Sequence, residues 1–367
     1  MTVIETQTTQ EACTPAEALQ RALNGGAAPA VKTRTEQRNE TMATSEAQFI
    51  EALKCRVIDG GTITDDEAYW LADVSDREAL YEAASAITRH YGKPAFNPCS
   101  IINARAGQCT ENCKWCAQSG HFHTDADVHG IVSEGQVLDQ AQYDERKGVK
   151  RFCQVTSGRE VKGEALRKIC DNYRALRQHT GLFLCGSLGL LSREALQQVW
   201  DAGARRYHCN LESAPSYFPE LCTTHTIEQK LQTLRWAREI GFQLCSGGII
   251  GMGESRHQRI ELGLKLREVM PDSIPINILC PIKGTPLQDM PPIGDEEILL
   301  TVAVYRFLHP RAELRFAGGR QRLSRDTQMK ALHIGINAAV VGDLLTTIGS
   351  KIDEDRRMVQ EAGYEVQ

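Results

Sequence analysis

From about residue 97 onward, short apolar runs alternate with charged segments whose apolar residues recur at helical spacing. The runs are NPCSIINA, KRFCQVTS, LFLCGSLG, RRYHCNLES, FQLCSGGIIG, SIPINILC, ELRFAGG and INAAVVG. Between them, EALRKICDNYRALRQH, REALQQVWDAG and IEQKLQTLRWAREIG place apolar residues every three or four positions, the mark of a helix with one buried face. Strands alternating with helices predict a parallel sheet, and eight such runs predict closure into an α/β fold of the (β/α)8 TIM-barrel type. An open doubly wound sheet is the alternative.

Upstream the pattern changes. Residues 45–92 (SEAQFIEALKC, TDDEAYWLADV, DREALYEAASAITRHYG) carry helical periodicity with acidic starts and predict a helical N-terminal cap. Residues 1–44, rich in Thr, Ala, Gln and Glu with little periodicity, predict a disordered tail in which EACTPAEALQRAL could form a short helix and Met42 an alternative start. Residues 93–367 are then the barrel with a C-terminal helix.

Composition adds few constraints. The chain has 367 residues, 41% apolar and 24% charged, with a formal net charge of −5. No basic field argues for nucleic acid or an anionic membrane, and no apolar run approaches the ~20 residues of a membrane span. The first residues carry Glu5, Glu11 and Glu17 without early Lys or Arg, unlike a secretory or mitochondrial leader, so a cytoplasmic location is expected.

Thirteen cysteines change the picture. Spread through a long chain, they are expected to be buried, catalytic or metal-bound, not paired. Three fall in CTENCKWC as Cys109, Cys113 and Cys116, directly after the first strand and hence at the barrel mouth, where such folds do chemistry. Three thiolates can wrap three corners of a four-iron, four-sulfur cubane and leave the fourth iron open. A zinc site completed by His121 or His123 is the alternative.

C-x3-C-x2-C with an aromatic, Trp115, before the last Cys resembles the signature of the radical S-adenosylmethionine enzymes. The resemblance implies that Cys109, Cys113 and Cys116 bind a [4Fe-4S] cluster whose open iron chelates S-adenosylmethionine. One-electron cleavage then gives a 5′-deoxyadenosyl radical, with Trp115 packing over cluster or adenine.

Cys153, Cys185 and Cys245 lie in the second, third and fifth candidate strands, and Arg315 in the seventh. Each alone reads as a core residue; together they could encircle a second cluster. RFC, LCGSLG, HCNLES, CSGGIIGMGE, IPINIL, KGTPL, LRFAGGR and DLLTT, spread over residues 45–365, are similar to the biotin synthases. That resemblance implies sulfur insertion into dethiobiotin to form biotin. It also implies an auxiliary [2Fe-2S] cluster on Cys153, Cys185, Cys245 and Arg315 as the sulfur source, an electron donor such as flavodoxin or ferredoxin, and a homodimer.

The family pattern Asn-x-Asn-x-Asp, which contacts S-adenosylmethionine and the ureido group, here reads His208, Asn210 and Glu212. Asn210 and Glu212 are expected at the cofactor. His208, Asn277, Thr346 and Thr347 are expected at the substrate. Cys209 is expected in the core, while Cys222, or less readily Cys280, could support a variant auxiliary cluster. Another radical S-adenosylmethionine barrel, in cofactor maturation or thiazole synthesis, is the nearest competing function. A non-catalytic metal-binding protein is a more distant one.

Overall fold

The computed structural model describes residues 34–342 and 352–365, with side chains from residue 45. Thr346 and Thr347 lie outside the described residues. Helix α1 (Arg34–Ile58) begins within the segment expected as tail. It is followed by α2 (Asp65–Asp73) and α3 (Arg77–Tyr91). Thr64 starts α2 with a capping box in which its side chain accepts from the Glu67 backbone and Glu67 accepts from the Thr64 backbone. Asp76 caps α3 in the same spirit, its side chain accepting from the Ala79 N–H.

The strands are β1 (Asn97–Arg105), β2 (Arg151–Thr156), β3 (Phe183–Ser187), β4 (Arg206–His208), β5 (Gln243–Cys245), β6 (Gly248–Ile250), β7 (Ser273–Ile278), β8 (Glu313–Phe316) and β9 (Ala338–Val340). All pairings between them are parallel. Their order is β5-β4-β3-β2-β1-β9-β8-β7-β6, and β5 also pairs with β7, which closes the ring. The fifth expected strand is thus interrupted at Ser246–Gly247, so nine segments make one eight-stranded barrel. Crowding at the break explains the glycine: a Cβ on Gly247 would lie 2.1 Å from the Pro275 carbonyl oxygen.

The barrel helices bury their apolar stripe against the strands. Helix α5 (Gly163–His179) turns Leu166, Ile169, Tyr173 and Leu176 inward, and the Tyr173 hydroxyl donates to the Cys185 carbonyl at 2.6 Å. Helix α10 (Asp295–Leu308) departs from this pattern: every residue from Ile298 to Leu308 is buried. Its outer face is covered by α2 and α3, so the N-terminal cap supplies a second layer there. Tyr81 donates to Glu296 at 3.0 Å and Thr88 to the Ile334 carbonyl at 2.9 Å, fixing cap to barrel. Fully buried side chains such as Phe152 and Leu314 each contribute roughly 2–3 kcal/mol by removal from water. Among the described residues no helix is long and apolar enough to cross a membrane.

Candidate active site

A cavity of about 440 Å3 runs from the C-terminal mouth into the barrel. Cys109, Trp115 and Cys116 line its mouth; Cys99, Cys153, Cys185 and Cys245 line its depth. The two thiol sets thus face one chamber.

The mouth loop is held by its own backbone. Cys109 N–H donates to the Gln118 carbonyl at 2.9 Å, Gly120 N–H to the Cys109 carbonyl at 2.7 Å, and Cys116 N–H to the Cys113 carbonyl at 3.0 Å. Gln108 at φ 50° and Gly107 at φ 74° make the sharp turn out of β1. The Gln118 side chain accepts from Gly107 N–H, and the Ser119 hydroxyl donates to the Glu111 carbonyl. Burial raises the Cys116 thiol to about 11, and the neighbouring Cys109 adds to the rise. Cys113 is raised by its hydrogen bond to Cys222 and by burial, with Cys116 contributing. Cys113 and Cys116 therefore resist ionisation in this loop, and the positive charge of an iron core is what such a set lacks. The donor set fits a four-iron cluster.

The deep set contains a residue that sequence reasoning missed. Cys99, on β1, packs with Cys153 and Cys185 in a cluster separate from the main core. Cys99 lies beside Cys185, and the pairing of the two thiols, followed by the nearby Arg315, Arg206 and Arg151 charges, pulls the Cys99 thiol down while Cys185 is pushed up. Burial pushes Cys153 and Cys245 up. The Cys99 and Cys153 thiols donate to the Ser100 and Gln154 carbonyls, at 3.6 and 3.7 Å. Ile101, two residues on, is in register with Cys153, so it is the register of β1 against β2 that turns Cys99 inward.

Arg315 sits beneath these thiols with every donor engaged. Nε donates to the Ser273 hydroxyl at 3.2 Å, Nη1 to the Asn97 and Ala339 carbonyls, and Nη2 to Asn97 Oδ1 and Glu313. A guanidinium so bound has no free N–H. Four buried thiols over arginines suit an anionic iron-sulfur cluster.

Between the two sets the wall is polar. His208 Nδ1 lies 3.3 Å from Cys245 Sγ, and burial lowers its pKa, so the imidazole is neutral. Asn210 Oδ1 accepts from Gly247 N–H at 3.0 Å, and its Nδ2 reaches Glu212 at 3.3 Å. Glu212 adopts φ 75°, left-handed backbone that is uncommon outside glycine. Asn277 is tied at both ends, donating to the Gly248 carbonyl and accepting from Gly318 N–H. All four line the cavity, as does Thr156, whose buried hydroxyl oxygen has no partner among the described residues.

Trp115 meets Phe218 edge-on at 6.3 Å. Cys209 is in the core, as expected, and Cys280 lines the cavity. Cys222 does not reach the deep thiols. The short helix α7 (Phe218–Leu221) turns it beneath the mouth loop, where its sulfur lies 3.6 Å from Cys113 and 3.4 Å from His225 Nδ1. Cys222 therefore backs the mouth loop and does not support an auxiliary cluster on the deep thiols.

Two family models match: the radical SAM superfamily over residues 105–265 and the Biotin and Thiamin Synthesis associated domain over residues 275–365. A biotin synthase of Porphyromonas gingivalis is 51% identical over 318 residues, 87% of this chain and 96% of the relative. One from Parabacteroides distasonis is 49% identical over 86% of this chain and 96% of the relative. The chain belongs to the biotin synthase family.

As a member of that family it is a radical S-adenosylmethionine enzyme, which calls for a [4Fe-4S] cluster and S-adenosylmethionine. Methylornithine synthase superposes with a TM-score of 0.74 at 18% identity, covering 86% of this chain and 97% of that one. A maturase of the [FeFe]-hydrogenase also gives 0.74, at 16% identity, covering 90% and 78%. Those likenesses establish the shared barrel.

Proposed function

We propose that the protein converts dethiobiotin to biotin, with Cys109, Cys113 and Cys116 holding the four-iron cluster and a deeper thiol set holding the sulfur donor. When bound, the mouth cluster supplies the electron that cleaves S-adenosylmethionine, and the auxiliary cluster supplies sulfur. The carrying observation is the single cavity that has the three-thiol loop at its mouth and four thiols at its end.

The chain's own groups do the positioning. Asn210 and Glu212 bind the cofactor ribose, with the Glu212 carboxylate accepting from hydroxyls. Asn277 and the neutral His208 line the dethiobiotin site; a neutral imidazole can donate one hydrogen bond to the ureido carbonyl without adding charge beside Cys245. Trp115 covers the mouth and keeps water from the radical. Cys99, Cys153, Cys185 and Cys245 supply four sulfur ligands, and Arg315 balances the charge of the cluster they hold. A four-thiol set departs from the two-iron cluster on three Cys and an Arg that the family resemblance implies. Electrons come from a flavodoxin- or ferredoxin-type donor, and the enzyme works as a cytoplasmic homodimer.

Anaerobic incubation with dethiobiotin, S-adenosylmethionine and a low-potential reductant tests the reading. It predicts both biotin and 5′-deoxyadenosine; deoxyadenosine without biotin, at full cluster loading, contradicts it.

A further inference from the structure

A second cavity, of about 210 Å3, opens at the opposite end of the barrel. Asn97, Arg151, Arg206, Gln243 and Glu313, which line it, are the first residues of β1, β2, β4, β5 and β8. It is the floor of the barrel. Five basic side chains (Lys93, Arg151, Arg206, Arg306 and Arg311) face two acidic ones, Asp272 and Glu313. Catalytic chemistry does not ordinarily use this face of a barrel.

Two features connect the floor to the thiols. Arg206 lines both cavities, so one side-chain layer separates them. Its guanidinium is held by Glu313 at 2.8 Å and by Gln243 at 2.8 Å. Beside it, Arg151 Nη1 and Asn337 Oδ1 are buried and have no hydrogen-bond partner among the described residues. Arg151 hydrogen-bonds through Nε to Asn97 at 2.9 Å and stacks over the Phe183 ring at 4.2 Å, with Nη2 a looser 3.7 Å from Glu313. A buried guanidinium N–H without an acceptor is costly and invites an anion.

The reading of the deep thiols as a sulfur-donating site, on which this inference rests, creates a supply problem. With cofactor and substrate seated in the mouth, inorganic sulfur arriving from that side would have to displace them. We propose that the floor cavity binds hydrosulfide and admits it past Arg206 to the auxiliary site. Hydrosulfide is a small monoanion that accepts guanidinium hydrogen bonds, and its entry is ligand binding without electron transfer. The net positive lining draws it in, as a charged cleft concentrates any small counter-ion.

Lys93 and Arg311 stand exposed at the rim and touch neither thiol set. The test compares the holoenzyme with Lys93→Glu/Arg311→Glu after full anaerobic loading of both proteins. First-turnover biotin is expected to be unchanged. Biotin made after addition of ferrous iron and heavy-isotope hydrosulfide is expected to slow about ten-fold in the variant. Auxiliary-cluster reconstitution of cluster-free protein is expected to slow in parallel, with mouth-cluster loading unaffected. Anaerobic crystals soaked in hydroselenide are expected to show anomalous density beside Arg151 in the wild type. Resupply and reconstitution at the wild-type rate, or selenium at the mouth alone, overturn the proposal. Absence of first-turnover biotin in the fully loaded wild type overturns instead the function on which it rests.

Discussion

Cys113 Sγ lies 3.6 Å from Cys222 Sγ, although 109 residues separate them in the chain. Cys222 in turn is 3.4 Å from His225 Nδ1, which contacts Glu111 at 2.6 Å, so a buried polar chain backs one ligand of the mouth loop. Partners of this kind orient a ligand and tune its metal, and their loss weakens metal binding on the order of ten-fold. Cys222→Ala is therefore expected to weaken retention of the mouth cluster by that factor. Auxiliary iron and sulfide, counted in the same preparation, are expected to stay at the wild-type level.

Cys99 gives a complementary expectation. Cys99→Ala removes one of four converging thiols and leaves the mouth loop intact. Auxiliary iron and sulfide should fall, and biotin with them, while 5′-deoxyadenosine is still released when S-adenosylmethionine is cleaved. Iron and sulfide analysis beside product chromatography separates the two clusters.

The floor of the barrel is held by charge. Arg206 is 4% exposed and pairs with Glu313, whose carboxyl is kept ionised, against its burial, by Arg315, Arg206 and Arg151. Removing one partner of a buried pair strands the other charge, at a cost of about 3–5 kcal/mol. Glu313→Ala should lower the urea unfolding free energy of cluster-free protein by about that amount.

His309 makes stability depend on pH. Burial is the main reason its pKa falls from 6.5 to about 4, and its Nε2 is 2.8 Å from the Gly263 carbonyl. The unfolded chain takes up this proton more readily than the folded one, so the folded state is favoured above pH 6.5 and loses ground as pH drops toward 4. A shift of this size corresponds to about 3 kcal/mol over that window. Urea midpoints of cluster-free protein measured across that range should fall, and His309→Gln should flatten the slope.

Much of this was legible from the chain. Short apolar runs alternating with amphipathic segments announced the barrel, and the spacing of Cys109, Cys113 and Cys116 placed a three-thiol loop at its mouth. Cys99 escaped because its inward orientation depends on the register of β1 against β2, which local pattern does not carry. Cys222 was misplaced for a related reason: the turn made by α7 is set by packing against the mouth loop, and the intervening sequence looks like ordinary loop. The split of the fifth strand followed from a close backbone approach at Gly247, where the sequence offered only two adjacent glycines.

Under the proposed function, the thiols at positions 99, 153, 185 and 245 hold the sulfur that enters the product. Protein whose auxiliary sulfide alone carries a heavy isotope, run through one anaerobic turnover, tests it directly by the mass of the biotin released. The account predicts biotin heavier by the isotope difference. Unlabelled biotin, formed while the labelled sulfide remains on the protein, would contradict it.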